Sequence, residues 1–206
     1  MQQQQRSTSS FVANRGRPVT GSSDMILQEL QDTRHGEHNI LIYPDLDTLN
    51  EVMAKYYKEA VEDRNELALF VTHYQTIPYV RKMLLERGGL DVAQYEQEGS
   101  LVLYDSVKGY QTSSEGVYSI MALINMLIER VKKLGKSGMF GMADMGSFFL
   151  FQRIEQLLSY ELSLPSIWDN MKLRSFCLYH EGDFSRMTEQ ERQALVDHHY
   201  KYIKMH

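Results

Sequence analysis

The 206-residue chain carries a net charge of −5, with 43% hydrophobic and 24% charged residues. These values suit one globular domain with a real core and argue against a general nucleic-acid surface. No apolar run reaches the roughly 18 residues that span a bilayer, no secretory signal opens the chain, and the single cysteine, Cys177, excludes an internal disulfide and a multi-cysteine zinc site.

Residues 1–23 hold four consecutive glutamines with serines, threonines and glycines, so a disordered tail is expected before a single domain over 24–206. Arg6, Arg15 and Arg17 make that tail mildly basic. Met25 to Arg34 reads as a short helix capped by Asp24 and broken by Gly36. His38–Tyr43 is an apolar strand, and Thr48–Arg64 an amphipathic helix opened by a Thr48-x-x-Glu51 capping box. Leu67–Thr72 is a second strand, and Gln75–Arg87 a helix that Gly88-Gly89 ends. Leu101–Tyr104 is a third strand. Ser114–Leu134 is the longest helix, with Val117, Ile120, Ile124, Leu127, Ile128 and Val131 repeating on one face and Gly135 as its stop. Gly138–Ala143 is a fourth strand, Phe148–Leu162 a helix, and Leu173–Tyr179 a fifth strand. Thr188–Tyr202 closes the chain as a helix capped by Thr188.

Strands that are apolar on both faces and alternate with helices predict an α/β fold. The expected form is a three-layer α/β/α sandwich around a mostly parallel sheet. Ligands of such sheets bind beyond the carboxyl ends of the strands. The candidate ligand-binding residues there are Tyr43, His73, Tyr74, Asp105, Asp144, Met145, Tyr179 and His180.

The first strand leads into Pro44-Asp45-Leu46-Asp47-Thr48, where nucleotide-binding α/β proteins place a glycine-rich phosphate loop. This turn has no glycine, two carboxylates, and a proline that removes one N–H. It points to binding without phosphate chemistry, with Asp45 and Asp47 as helix-start residues. Gly135-Lys136-Ser137 lies after a helix and before a strand, the reverse of a phosphate loop, and reads as a helix C-cap. Without that loop a Mg²⁺ at Asp105 or Asp144 would have no triphosphate to bridge. Both aspartates read as caps or as polar contacts in a pocket.

His180, Glu181 and Asp183 share a loop without a closed ligand set, and the adjacent His198 and His199 point to different sides of a helix. No metal is therefore expected. Cys177 reads as a small buried thiol, with His180 on the opposite strand face, so no catalytic pair and no cofactor are expected. Tyr43, Tyr74, Tyr104, Tyr110, Tyr179 and Trp168 offer apolar bodies with one polar tip. They suit a small organic ligand in a mostly apolar pocket, or rings that bridge core and surface. The twelve methionines fit adaptable pockets and plain core filling alike.

Several stretches resemble the methanogen and methylotroph sensory (MEDS) domain. They are His38-Asn39-Ile40-Leu41-Ile42-Tyr43, Ala143-Asp144-Met145, Tyr160-Glu161, Cys177-Leu178-Tyr179 with Phe184 after it, and a closing His198 or His199. The resemblance implies a RecA- or KaiC-like fold without a Walker A loop, and a role in sensing small molecules, commonly for an attached DNA-binding or kinase domain. Asp144 stands where the family tends to show Glu, which shortens its reach. No output domain is evident, so signalling through a partner is expected.

Three readings stay open. The preferred one is a non-enzymatic, cytoplasmic sensory domain that binds a small organic ligand and acts through a regulator or kinase partner, away from membranes and nucleic acid, with a homo-oligomer compatible. The others are an interaction subunit of an ATPase or regulator with no ligand of its own, and a degenerate nucleotide binder.

Overall fold

The structure is a computed structural model and describes residues 17–111, 118–165, 167–168 and 171–206. In chain order the elements are strand β1 (Arg17–Gly21), helix α1 (Ser23–Gln31), β2 (His38–Tyr43) and α2 (Leu46–Lys58), which closes in a π-turn over Glu59–Asp63. Then come β3 (Leu67–Thr72), α3 (Ile77–Gly88), α4 (Val92–Glu98), β4 (Leu101–Asp105), α5 (Ser106–Tyr110) and α6 (Tyr118–Lys133). The chain continues with β5 (Met139–Asp144), α7 (Gly146–Leu150), α8 (Ile154–Ser163), β6 (Leu173–His180), α9 (Glu181–Phe184), α10 (Glu189–His198) and β7 (Lys201–Met205).

The seven strands form one sheet in the order β1-β7-β2-β6-β5-β3-β4, and every pair is parallel. The chain crosses the sheet in one direction from β1 to β4 and returns from β4 to β7. Crossovers of constant hand put the helices on one face on the way out and on the other on the way back. Accordingly, α1 to α4 pack on Leu41, Phe70, Phe140, Met142, Phe176 and Ile203. Helices α5 to α10 pack on Ile40, Leu69, Val71, Met139, Leu173 and Cys177. The expected α/β/α sandwich is thus realised, with strands β2 and β3 buried along their whole length. No helix of the described residues is long and apolar enough to cross a membrane.

Two strands depart from the sequence reading. Residues 17–21, expected in the tail, form the edge strand β1, where Pro18 is tolerated because an edge strand lacks one ladder. Residues 1–16 lie outside the described residues. The closing helix does not run to Tyr202: it ends at His198, and 201–205 pair with both β1 and β2. Here Ile203 fits between two strands, and ladder pairing outweighs continued helix.

Helix starts also shift. Asp45, not Thr48, caps α2, its carboxylate accepting the Thr48 N–H at 2.8 Å and the Thr48 hydroxyl at 3.0 Å. Ser22, not Asp24, is the cap residue of α1, and Asp24 lies in its first turn. The expected helix over 148–162 is broken into α7 and α8 at Gln152, whose φ is 55°. The start of the long helix expected from Ser114 lies outside the described residues as far as 117. Its end is as read: Gly135 has φ 64° and the Lys136 N–H returns to the Val131 carbonyl at 3.0 Å, so Gly135-Lys136-Ser137 is a C-cap turn.

Candidate functional site

The carboxyl ends of β2, β3, β5 and β6 gather Tyr43, His73, Tyr74, Asp144 and His180. The Tyr43 hydroxyl donates to Asp144 Oδ2 at 2.8 Å, and the Gly146 N–H donates to Asp144 Oδ1 at 2.8 Å. Burial pushes the Asp144 carboxyl up to about 7, against the opposing pull of those two donors, and Asp183 adds to the rise. The Tyr74 hydroxyl donates to Asp183, and the His180 ring packs 5.5 Å from Tyr43 and 5.7 Å from Tyr74. His73 stacks edge-on against Tyr74 at 4.7 Å; burial lowers its pKa, and its Nδ1 is buried without a hydrogen bond. The cluster is therefore largely self-paired, with His73 as its open polar group.

The other three candidates make no side-chain hydrogen bond to this cluster, although the Asp105 charge opposes the lowering of His73. Asp105 caps α5 by accepting the Lys108 N–H at 2.9 Å. Met145 and Tyr179 are buried on the opposite face of the sheet, among the residues under α7 to α9. Period-two alternation separates Tyr179 from His180 and Tyr43.

That opposite face holds a cavity of about 40 Å³ between the sheet and helices α6 and α8. Leu69, Val71, Met139, Gly141, Ile120 and Leu164 make it apolar, and Tyr110, Tyr160 and Trp168 close it. Gly141 keeps it open, since a Cβ there would meet only Leu69 Cβ, at 4.0 Å. His38 and Cys177 form its polar wall.

Behind that wall lies a second polar cluster. Cys177 Sγ is 3.2 Å from His38 Nε2 and 3.3 Å from Glu161 Oε2. Glu161 Oε2 is also 3.8 Å from His38 Nε2 and 3.5 Å from His199 Nε2, and all four residues are buried. The Tyr179 hydroxyl donates to Glu161 Oε1 at 2.8 Å. Burial alone would raise the Glu161 carboxyl, but His199, His38 and Tyr179 beside it hold it down at about 2. Burial and the neighbouring His199 lower His38 to about 3, with Glu161 opposing. Burial and Glu161 push the Cys177 thiol well above its ordinary value, the reverse of an activated nucleophile.

Sequence reasoning treated these four residues separately because they come from β2, α8, β6 and the turn after α10. His198 and His199 do not straddle a continuing helix. α10 ends at His198, and extended backbone at His199 turns its ring to within 4.3 Å of His38. The available signal was alternation: His38 shares a strand face with Ile40, and Cys177 shares one with Tyr179.

The fold and site define a parallel α/β/α protein whose first interior strand leads into a carboxylate-capped helix, and which buries a polar cluster beside an apolar cavity. Its sequence matches the family model of the MEDS domain, the methanogen/methylotroph, DcmR sensory domain, over residues 37–199. The chain belongs to that family of sensory domains, in agreement with the motif resemblance. No curated protein matches the sequence. Among solved structures, the chain is similar to the KaiC-like protein PH0186 from the hyperthermophilic archaeon Pyrococcus horikoshii OT3, with 16% identity and a TM-score of 0.48. The match covers 71% of this chain and 62% of that protein, so it spans less than two thirds of the latter.

Proposed function

We propose that the protein is a non-enzymatic sensory domain that takes a small, mostly apolar organic molecule into the cavity between the sheet and helices α6 and α8. The cavity itself carries the reading: about 40 Å³ of apolar space with Gly141 as its floor and His38 and Cys177 on one wall. A water needs about 10–15 Å³ by this measure, so the space fits a molecule of roughly two or three heavy atoms. Met139 on the lining gives it an adaptable wall. A ligand there would bear on α6 and α8, and its differential affinity for two positions of those helices would set the signal. A regulator or kinase partner would read that position. Family membership supports the sensory role, and the self-capped turn after Tyr43 supports binding without nucleotide hydrolysis.

The test is a thermal-shift panel of one- and two-carbon halogenated and oxygenated compounds, with wild type and Gly141→Val. A ligand at 100 times its Kd adds about 2.7 kcal/mol, which is read at roughly 2–4 °C per kcal/mol for a chain of this size. A shift in wild type that vanishes in a folded Gly141→Val supports the cavity. Equal shifts in both proteins overturn it.

A second reading places a polar ligand at the strand ends, around Tyr43, His73, Tyr74, Asp144 and His180. The buried, unpartnered His73 Nδ1 favours it. Under that reading, polar compounds give the shift, His73→Phe abolishes it and Gly141→Val leaves it.

A further inference from the structure

The cluster of His38, Glu161, Cys177 and His199 has the geometry of a four-coordinate metal centre. Bond lengths of Zn²⁺ to nitrogen, oxygen and a single sulfur predict ligand-to-ligand edges of about 3.3–3.7 Å in a tetrahedron. Four of the edges here measure 3.2, 3.3, 3.5 and 3.8 Å. All the ligand atoms lie within 4.8 Å of one another.

The surroundings are set for ligation as well. His38 Nδ1 lies 3.2 Å from the Pro165 carbonyl, and His199 Nδ1 lies 2.7 Å from the Leu195 carbonyl. A carbonyl only accepts, so both Nδ1 atoms carry the proton, and both Nε2 atoms face the cluster. This is the outer-shell arrangement that fixes ligand tautomers in metal sites. His199 Nε2 is buried and has no hydrogen-bond partner. Tyr179 holds the far oxygen of Glu161, leaving Oε2 for the centre. Among the described residues, Glu161 has only the two histidines as ion-pair partners. The buried Glu66 and Glu37, by contrast, have Arg174 and Lys201 beside them.

We infer that these four residues form a closed Zn²⁺ site through His38 Nε2, His199 Nε2, Cys177 Sγ and Glu161 Oε2. On binding, the Sγ–H bond breaks and its proton leaves to solvent, while four coordinate bonds form to the ion. Two positive charges then meet one thiolate and one carboxylate, so the buried centre is neutral. The centre ties β2, β6, α8 and the start of β7 together. Its assignment does not rest on any ligand in the adjoining cavity.

The test uses the full chain, stripped of metal with a chelator and titrated with Co²⁺ and with Zn²⁺ alone. Saturation at one equivalent is expected, with a thiolate-to-cobalt charge-transfer band that Zn²⁺ abolishes. Cys177 is the one cysteine in the chain, so that band reports this site and no surface histidine. His199→Ala should weaken Zn²⁺ affinity by at least about tenfold, and Cys177→Ser should lose the band while keeping its far-ultraviolet dichroism. A wild type without the band at stoichiometric Co²⁺ overturns the site, as does unchanged Zn²⁺ affinity in folded His199→Ala. Should both variants fail to fold, the wild-type cobalt spectrum and a native mass spectrum decide: one zinc per chain supports the site, and a metal-free mass after zinc addition overturns it.

Discussion

Burial holds the Asp144 carboxyl at about 7, against 3.8 in an unfolded chain. Between those values the native state keeps a proton that the unfolded chain has lost. Asp144 therefore contributes stability that is full below about pH 3.8 and is lost as pH rises through 7, by up to roughly 1.4 kcal/mol per pH unit. His38 has the opposite sign. Its neutral form is favoured, so its contribution is present above 6.5 and is lost as pH falls toward 3. Urea melts of wild type and Asp144→Asn at pH 4.5 and pH 8 should show the variant gaining relative stability at the higher pH. A gap that does not move with pH would remove Asp144 as the source. At the amino end of β6, on the same sheet face, the guanidinium of Arg174 donates to Glu66 and to the Tyr56 hydroxyl, fully buried. Arg174→Met should cost up to roughly 3–5 kcal/mol, because it leaves the buried Glu66 carboxylate with only His35 beside it, at 2.7 Å. Adding Glu66→Gln should restore part of that loss in denaturant titrations. Of these residues, Asp144 at a strand end and Asp105 as a cap were legible in the sequence. Arg174 was not, because an arginine inside an apolar strand gives no sign of its distant partner. His38, Glu161 and Cys177 were visible as motif residues, yet only the packed fold brings His199 to them.

Helices α2 and α3 approach so closely that a Cβ at Gly88 would meet the Ala54 carbonyl oxygen at 2.6 Å. Gly88→Ala must push the two helices apart, at about 1–3 kcal/mol or more. Gly135→Ala meets nothing within 4 Å and bears only the cost of a left-handed backbone, roughly 1 kcal/mol. Chemical denaturation should therefore rank Gly88→Ala as the more damaging change; the reverse order would mean that the helix contact is not tight. The sequence marked both glycines as helix ends, and it marked five strands from apolar runs. It hid the break between α7 and α8, because Phe151-Gln152-Arg153 contains no glycine or proline; the exposed Gln152 takes the left-handed C-cap position, and the Arg153 N–H returns to the Phe148 carbonyl at 2.8 Å. Likewise β1 and β7 are short, with polar residues three apart (Arg17 and Thr20, Lys201 and Lys204), so composition read them as tail and helix.

In the whole molecule, β7 is an interior strand, with Ile203 in register with Val19 of β1 and Leu41 of β2. Ile203→Pro removes a ladder donor there and should release β1 and β7 together. Hydrogen exchange would then show fast amides at 17–21 and 201–205 and unchanged protection where β3 pairs with β4; protection kept at 17–21 would contradict the pairing. Layering and parallel direction followed from the alternation of elements, whereas strand order did not, because apolar strands carry no address for their neighbours. That order has a consequence in time. Strands β1 and β2 have no sheet neighbour in the first half of the chain, since β1 pairs with β7 and β2 with β6 and β7. At ribosomal rates of ~5–20 residues per second, they wait on the order of ten seconds for their partners. A nascent chain therefore emerges with the apolar stretch Ile40–Tyr43 of β2 unpaired, and its dependence on chaperones during synthesis should be greatest before residue 173 appears.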